Sequence, residues 1–309
     1  MSNTKYDSII IGAGPAGLTA GIYLSRAKMK VLILDSGIAG GQMVLTHEVA
    51  NFPGFESISG YMLSMNMKNQ AEKFGCEIKT NIRIQDYNIE GKNKSVVLTN
   101  GDTFEAKTII LATGGRSRKI GAEGENDFAG RGISYCATCD GDFFQDKEII
   151  VIGGGNSALE EAVSLTKYAS KVTIVHQFKE WQAFDSAIQE MEENPKIDYI
   201  MGAKITKFNG EQKIDSVIIE DIETGNTHEH KIDGVFIFIG YVANTEEIKD
   251  KVELSQWGEI IVNSDFQTNV EGVFAAGDSI VKKYRQITTA VADGTNAALN
   301  AIEYINSGI

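Results

Sequence analysis

The sequence predicts an α/β fold with two Rossmann-like dinucleotide-binding domains, the second inserted into the first. Three observations carry this prediction. A unit of strand, glycine turn, helix and strand occurs twice, with turns that begin at Gly12 and Gly153. Each unit is closed by a further apolar strand, near 107–115 and 233–241. A last apolar strand at 272–278, followed by a helical pattern, resembles neither unit and is assigned to the first domain.

The first unit begins with an apolar strand at residues 7–11. Its glycine turn, Gly12-Ala13-Gly14-Pro15-Ala16-Gly17, opens a predicted helix, and the next strand ends on Asp35. In such a turn the first glycine makes the bend, the second lets the backbone approach a pyrophosphate, and the third lets the helix pack on the strand. The helix N-terminus then faces the phosphates with its positive dipole end. The sequence therefore predicts a dinucleotide site here.

The second unit repeats this spacing with a Gly153-Gly154-Gly155-Asn156-Ser157-Ala158 turn. His176 takes the position of Asp35, because 23 positions separate Gly12 from Asp35 and Gly153 from His176. Two interpretations of this turn stay open, a second nucleotide site and a strand–helix unit whose glycines are needed only by the turn.

The domain boundaries follow from this order. Residues 1–115 and 245–309 are predicted to form the first domain, and residues 116–244 the inserted one. Crossings near 115–120 and 241–246 are expected to form a two-stranded hinge.

Composition excludes several classes of function. The 309 residues include 29 basic and 42 acidic ones, a net charge of −13. We expect no binding to nucleic acid or to an anionic membrane surface. No apolar run approaches the roughly 18 residues of a membrane span. Nor does the N-terminus have the basic and apolar regions of a signal peptide, so a cytoplasmic location is expected.

The chemistry is predicted at Cys136-Ala137-Thr138-Cys139-Asp140. A zinc site would need two more ligands, and neither Cys76 nor the four histidines have a matching spacing, so no metal is expected. The histidines are His47, His176, His228 and His230, of which the last two lie in a polar stretch predicted to be a hairpin tip. A redox dithiol is the better interpretation. Asp140 is either the proton donor and acceptor for the departing thiolate or a helix cap.

Six motifs, in order, resemble those of the bacterial low-molecular-weight thioredoxin reductases over about residues 5–305. They are the first glycine turn, Gly40-Gly41-Gln42, Asn51-Phe52-Pro53-Gly54, Ala112-Thr113-Gly114, Cys136-Ala-Thr-Cys-Asp-Gly141 and Ala276-Gly277-Asp278. The Cys-Ala-Thr-Cys-Asp-Gly motif is the most specific of them.

The resemblance implies a homodimeric flavoenzyme that reduces thioredoxin. Its first glycine turn would hold FAD, with Asp35 on the adenosine ribose, Asp278 on the flavin linker and Arg285-Gln286-Ile287 against the isoalloxazine. Cys139 would be the thiol nearest the flavin, and Cys136 the thiol that exchanges with thioredoxin. The other expected FAD contacts come from the remaining motifs: Gly12, Gly14, Pro15, Ala16, Gly17, Gly41, Gln42, Asn51, Thr113, Gly114 and Gly277.

One motif of the family is lost. Members that use NADPH carry His-Arg-Arg, three further residues and Arg, which hold the 2′-phosphate. Here the stretch is His176-Gln-Phe-Lys-Glu-Trp-Gln182, and no acid stands at position 176 to hold an NADH ribose. The chain resembles most the flavin-type thioredoxin reductases that take electrons from ferredoxin. Because ferredoxins are acidic, we expect a local basic patch, with candidates at Arg116, Arg118, Lys119, Lys282, Lys283 and Arg285.

Three alternatives are weighed against a ferredoxin-dependent thioredoxin reductase. The first is an NAD(P)H-dependent thioredoxin reductase, which the lost arginines disfavour. A ferredoxin–NADP reductase on the same scaffold would lack the redox cysteines. A non-catalytic flavoprotein would bind FAD without turning over thioredoxin.

Overall fold

The computed structural model describes residues 3–46 and 48–308, and His47 lies outside the described residues. Its strands, in chain order, are β1 (Asn3–Ile11), β2 (Val31–Leu34), β3 (Glu77–Lys79), β4 (Ile84–Asn88), β5 (Lys94–Leu98), β6 (Thr103–Leu111), β7 (Gly115–Ser117), β8 (Ile133–Ser134), β9 (Glu148–Ile152), β10 (Lys171–His176), β11 (Ile197–Met201), β12 (Ala203–Gly210), β13 (Ile214–Asp221), β14 (Thr227–Lys231), β15 (Gly234–Ile237), β16 (Tyr241–Ala243) and β17 (Val273–Ala275).

The helices are α1 (Pro15–Arg26), α2 (Gly60–Lys73), α3 (Glu125–Phe128), α4 (Ala137–Asp140), α5 (Asn156–Leu165), α6 (Asp185–Glu192) and α7 (Ile287–Ser307). Short 3-10 turns lie at Gly41–Leu45, Gly141–Phe144 and Gly277–Ser279.

The chain divides into two compact units. The first comprises Met1–Arg116 and Val242–Ile309, and the second comprises Ser117–Tyr241. These limits lie one and three residues from the boundaries that the sequence predicts. The two crossings between the units, β7 and β16, pair as a two-stranded sheet.

The first unit is built on a mostly parallel sheet. Its strands run in the order β3-β2-β1-β6, and β17 pairs in parallel with the last residues of β6. The hairpin of β4 and β5 joins the first half of β6 in antiparallel fashion. Since the central strands are covered on both faces, they are continuously apolar instead of alternating. Their carboxyl ends meet at one edge, which is where parallel sheets bind ligands.

Helices α1, α2 and α7 pack against one face of this sheet. Ile10, Ile33 and Ile110 point into that core, and their strand neighbours point into a second core on the other face. Pro15 is the first residue of α1, a position where its fixed φ suits the helix and its missing N–H costs nothing.

The second unit repeats the plan on a smaller scale. Its parallel sheet has the order β11-β10-β9-β15-β8, and a separate antiparallel sheet is formed by β12, β13 and β14. The prediction that His228 and His230 lie at a hairpin tip is wrong. Both lie within β14, paired with β13, and the tip is formed by residues 222–226.

Close helix packing in the first unit depends on Gly294 of α7. A Cβ added at this residue would overlap the backbone carbonyl oxygen of Ala16 in α1. The two helices therefore approach one another backbone to backbone, next to the glycine turn from which α1 begins.

We expect Gly294→Ala to lower the free energy of unfolding by about 1–3 kcal/mol, as overpacking does. Helix propensity alone predicts the opposite sign, a gain of about 1 kcal/mol. Asn296→Ala, at an exposed position of the same helix, is the control and should be neutral or slightly stabilising. Chemical denaturation measures the free energy of unfolding of both variants. An unchanged free energy of unfolding for Gly294→Ala would contradict the close packing.

Candidate active site

The first glycine turn is so tight that two of its glycines cannot be replaced. Gly12 has a φ of 106°, and a Cβ there would overlap the carbonyl oxygen of Ala112 at the end of β6. A Cβ at Gly17 would overlap the carbonyl oxygen of Gly12. The turn therefore presses the start of α1 against the edge of the sheet, as the sequence predicts.

Gly14 is different, because it is open. Among the described residues, no atom lies within 4 Å of a Cβ built there, apart from its own chain neighbours, and its φ of −75° suits any residue. Gly41 lies beside it, with 3.3 Å between an added Gly41 Cβ and the Gly14 Cα, and Gly40 N–H donates to the Ala13 carbonyl at 2.7 Å. The N-terminus of α1 thus faces a space that a side chain at Gly14 would enter and that a pyrophosphate suits.

Asp35 at the end of β2 braces this turn. One carboxylate oxygen accepts the Ala13 N–H at 2.6 Å and the other accepts the Gly37 N–H at 2.7 Å. Each oxygen keeps a further lone pair with which it can accept a ribose hydroxyl.

Two neighbouring strand ends add polar groups at the same edge. Thr113 follows β6, and its hydroxyl is buried with no hydrogen-bond partner among the described residues. Asp278 follows β17, and burial raises the pKa of its carboxyl, against the opposing effect of Lys282. Gly277 packs on α1, since a Cβ there would lie 2.8 Å from the Ala16 Cβ. Thr113 lies at the strand ends where parallel sheets bind ligands, so a ligand bound at this edge would supply the missing hydrogen-bond partner of its hydroxyl.

The segment before α7 holds the last of the residues that the sequence predicts to contact FAD. Gln286 caps α7 in a reciprocal arrangement with Thr289, and Ile287 is the first residue of the helix. Asn51 Nδ2 lies 3.5 Å from Gln286 Oε1, so residues 51 and 286 meet although they are far apart in sequence. The Gln42 side chain is exposed. The open space at Gly14, the Thr113 hydroxyl and Asp35 fit an FAD with its pyrophosphate at α1.

Cys136 and Cys139 form a disulfide in the second unit. Their Cα atoms are 5.3 Å apart, within the normal range for a disulfide. Cys136 precedes α4, and its sulfur accepts the Cys139 N–H at 3.2 Å. Both residues are partly exposed, as thiol–disulfide exchange requires.

Asp140, directly after the disulfide, is held by a residue that sequence reasoning missed. The Ser134 hydroxyl donates to Asp140 Oδ2 at 2.5 Å. Burial is the main cause that raises the pKa of Asp140, and the nearby Asp142 carboxylate raises it further. A raised pKa suits a carboxyl group that must release and take up a proton near neutral pH.

The second glycine turn is packed by its own chain. A Cβ at Gly154 would overlap the His176 imidazole, and the Gln182 N–H donates to the Gly154 carbonyl at 2.8 Å. Trp181 stacks on His176 with 5.6 Å between ring centroids. Burial lowers the pKa of His176, which favours its uncharged imidazole, the form that offers no charge to a phosphate.

The segment 177–182 has one cation in its sequence, Lys179. Its ammonium group pairs with Glu223 at 2.6 Å. Gln177 and Phe178 are exposed at two of the positions where NADPH-dependent relatives have arginine. A 2′-phosphate would meet aromatic and acidic groups here.

The basic residues proposed as a patch are mostly engaged. Lys282 is 11% exposed and pairs with Asp293 at 2.5 Å, and Arg285 pairs with Glu259. Arg116 pairs with Glu246 at 2.9 Å, and Lys119 bonds to Asn126. The Lys283 ammonium lies over the Tyr284 ring. The local basic patch stays a prediction, and two of its candidates, Lys282 and Arg285, have their charges paired with neighbouring carboxylates.

Other candidate chemistry is not supported. Cys76 is buried, and burial raises the pKa of its thiol to about 12, so it is unreactive. Across residues 3–46 and 48–308 no group of metal-ligating side chains is found. Among those residues no helix is long and apolar enough to span a membrane.

Comparison with known proteins agrees with this geometry. The sequence pattern of the pyridine nucleotide-disulphide oxidoreductase family matches residues 6–294. A thioredoxin reductase from Peptoclostridium acidaminophilum is 44% identical, over 98% of both chains. A "34.2 kDa protein in rubredoxin operon" from Clostridium pasteurianum is 43% identical, over 97% of both. The crystal structure of a thioredoxin reductase from Streptococcus pyogenes superposes with a TM-score of 0.95 at 40% identity, covering 99% of this chain and 100% of that one.

The two glycine turns allow a paired test, because Gly14 and Gly155 have nearly the same backbone conformation. We expect Gly14→Val to purify without flavin and to remain folded, since the added atoms meet only ligand space. Gly155→Val, whose Cβ lies 3.7 Å from the Gln182 carbonyl oxygen, should keep its flavin. Flavin absorbance and thermal unfolding measure both outcomes, and a Gly14→Val protein with full flavin content would contradict the placement.

Proposed function

The chain belongs to the pyridine nucleotide-disulphide oxidoreductase family, and from this premise we propose that it reduces thioredoxin with electrons from reduced ferredoxin, not from NADPH. As a member of the thioredoxin reductase branch it is an FAD-binding flavoprotein disulfide oxidoreductase. The donor is the new element of the proposal.

FAD would be held by the first unit. The turn Gly12–Gly17 would take the pyrophosphate, Asp35 the adenosine ribose and Asp278 the flavin linker, with Thr113 and residues 285–287 along the flavin half. When bound, FAD accepts single electrons and delivers them in pairs, which a one-electron donor needs if a disulfide is to be reduced.

The second unit carries the exchange with thioredoxin. In the dithiol form, the Cys136 thiolate attacks one sulfur of the thioredoxin disulfide and forms a mixed disulfide. Cys139 then attacks Cys136, the Cys136–Cys139 bond re-forms, and thioredoxin leaves as a dithiol that has gained two electrons and two protons. Asp140 takes the proton from the attacking thiol and returns it to the departing thiolate.

The loss of phosphate-binding charge in segment 176–182 is the observation that carries the choice of donor. Arginine is absent at positions 177, 178 and 182, and Lys179 is paired with Glu223. Each charge-assisted phosphate contact is worth about 1.5–3 kcal/mol, so three of them amount to several orders of magnitude in affinity.

NADH is disfavoured for a different reason. A dinucleotide fold that selects NADH has an acid at the end of the second strand, which binds the ribose hydroxyls. His176 occupies that position, and its Nε2 lies 3.1 Å from the Glu180 carbonyl oxygen. Its ring is also covered by Trp181.

A small one-electron carrier is the alternative donor, because the dithiol still requires an electron source when NADPH and NADH are both disfavoured. Among such carriers we propose ferredoxin, in the cytoplasm.

The proposal includes a homodimer. Exposed apolar side chains lie close in sequence between the Gly41–Leu45 turn and the start of α2, namely Leu45, Phe55, Tyr61 and Met62. A second copy of the chain would cover such a surface.

The donor is tested by adding NADPH, NADH and reduced ferredoxin in turn to the anaerobic holoenzyme. We expect only ferredoxin to reduce the flavin rapidly and to support thioredoxin turnover. A triple variant, Gln177→Arg, Phe178→Arg and Gln182→Arg, should gain about tenfold to a hundredfold in NADPH affinity for each arginine that reaches the phosphate.

A triple variant with methionine at the same three positions is the matched control and should gain nothing. Rapid reduction of the unaltered protein by micromolar NADPH would refute ferredoxin dependence. FAD bound without any thioredoxin reduction would indicate a non-catalytic flavoprotein.

The roles of the two cysteines are tested with a thioredoxin that lacks its second active-site cysteine and is activated as an aromatic mixed disulfide. We expect Cys139→Ser to form a stable covalent complex with it, because Cys136 attacks and nothing resolves the product. Cys136→Ser should form at least tenfold less of this covalent complex. Cys76→Ser should behave as the unaltered chain. Non-reducing electrophoresis measures the complex, and the reverse pattern would exchange the two roles.

A further inference from the structure

Ser134 is the last residue of β8, the edge strand of the parallel sheet in the second unit. It is 5% exposed and lies two residues before Cys136. Its strand is fixed by pairing with β15, in which Phe236 lies opposite Ser134. A rigid element therefore holds this hydroxyl beside the redox motif.

The Ser134 hydroxyl contacts the motif three times. It accepts the Cys136 N–H at 3.1 Å, it lies 2.5 Å from Asp140 Oδ2, and it lies 3.3 Å from the Cys136 carbonyl oxygen. A hydroxyl has one proton and two lone pairs, so it cannot donate to Asp140 and to the carbonyl at once.

These contacts match the two protonation states of Asp140. While the carboxyl group is ionised, the Ser134 proton points to Oδ2, and one lone pair accepts from Cys136. Once the carboxyl group is protonated, its O–H can donate to the second lone pair of Ser134. The Ser134 proton then turns to the Cys136 carbonyl oxygen. The Ser134 hydroxyl, Asp140 Oδ2 and the Cys136 N–H each have a partner in both states, and no heavy atom needs to move.

We propose that Ser134 is a positioning residue that keeps the Asp140 carboxyl group in one place through both protonation states, by turning its hydroxyl proton between Asp140 and the Cys136 carbonyl. This inference rests on the proposed function, in which Asp140 moves the proton of the exchange. Ser134 touches neither thioredoxin nor the sulfur atoms in this role.

The charged surroundings of Asp140 make such support necessary. Asp142, on the 3-10 turn Gly141–Phe144, disfavours the ionised carboxyl group, as burial does. Helix α5, which packs against α4, carries Glu160 and Glu161, two further acids. Ser134 is the neighbour that favours the ionised form. Without Ser134, a partly buried carboxylate near other acids would lose a hydrogen bond to its charged form.

The test is a single turnover that does not depend on the physiological donor. The holoenzyme is reduced chemically under anaerobic conditions, mixed with thioredoxin disulfide, and followed across the acid and neutral pH range. We expect Ser134→Ala to slow the exchange by about tenfold and to move the apparent pKa of the profile upward by about one unit. The apparent pKa rises because the variant lacks the Ser134 hydroxyl, which donates a hydrogen bond to the Asp140 carboxylate and so stabilises the ionised form.

Ser134→Thr keeps a hydroxyl and should restore both the rate and the profile. Ser8→Ala is the matched control, because Ser8 is also a buried strand serine but its hydroxyl has no partner within the described residues. Ser8→Ala should leave both the exchange rate and the pH profile unchanged. Flavin content and formation of the Cys136–Cys139 disulfide report that each variant is folded.

Asp140→Asn separates this inference from the function on which it rests. If Asp140→Asn removes the acid-dependent limb and Ser134→Ala shifts it, the proposal holds. A Ser134→Ala enzyme with an unchanged profile, or a slow one that threonine does not rescue, overturns the positioning role alone. An unaffected Asp140→Asn overturns both that role and the proton transfer proposed for Asp140.

Discussion

The close contact between the first glycine turn and the end of β6 is the constraint on which the first unit depends. Gly12 approaches the Ala112 carbonyl so closely that only glycine fits, and the contact sets where α1 begins. From that point α1 runs beneath α7, where Gly294 allows a second backbone approach at Ala16. The ends of the strands, the N-terminus of α1 and helix α7 therefore lie together at one edge of the sheet. A dinucleotide site is the result of this packing, and its open position at Gly14 is what remains for the ligand.

The second unit has the same local geometry with a different outcome. Gly153 and Gly154 are required by the protein itself, since added Cβ atoms would overlap the Phe238 carbonyl and the His176 ring. These two glycines would be kept whether or not a nucleotide binds. Selectivity between nucleotides depends instead on charges at the end of the second strand. The side chains at 176–182 occupy that position, and they include an imidazole whose pKa is lowered by burial and a lysine paired with Glu223.

Much of the fold could be predicted, because strand, turn and helix follow from local patterns that occur twice. In the fold, residues of separate motifs come together: Gly41 lies beside Gly14, and Asn51 lies beside Gln286. These contacts do not by themselves establish a ligand. The tertiary partners of charged side chains could not be predicted. The sequence predicts Lys282 to be a surface cation, whereas in the structure its side chain is partly buried and pairs with Asp293. Ser134 carries no signal in the sequence, since its role depends on a hydroxyl placed by a strand edge and a carboxyl placed by α4.

The division of labour between the units follows from what each side chain can do. The first unit offers FAD a preorganised backbone turn and the carboxylates of Asp35 and Asp278. In the proposed thiol–disulfide exchange a proton moves near neutral pH, and the second unit offers Asp140, a partly buried acid whose pKa is raised. Burial alone disfavours ionisation of that acid, because a desolvated carboxylate is costly. In our proposal the Ser134 hydroxyl, within hydrogen-bond distance, lowers this cost without solvating the site. The redox motif would then exchange a proton while its heavy atoms stay fixed.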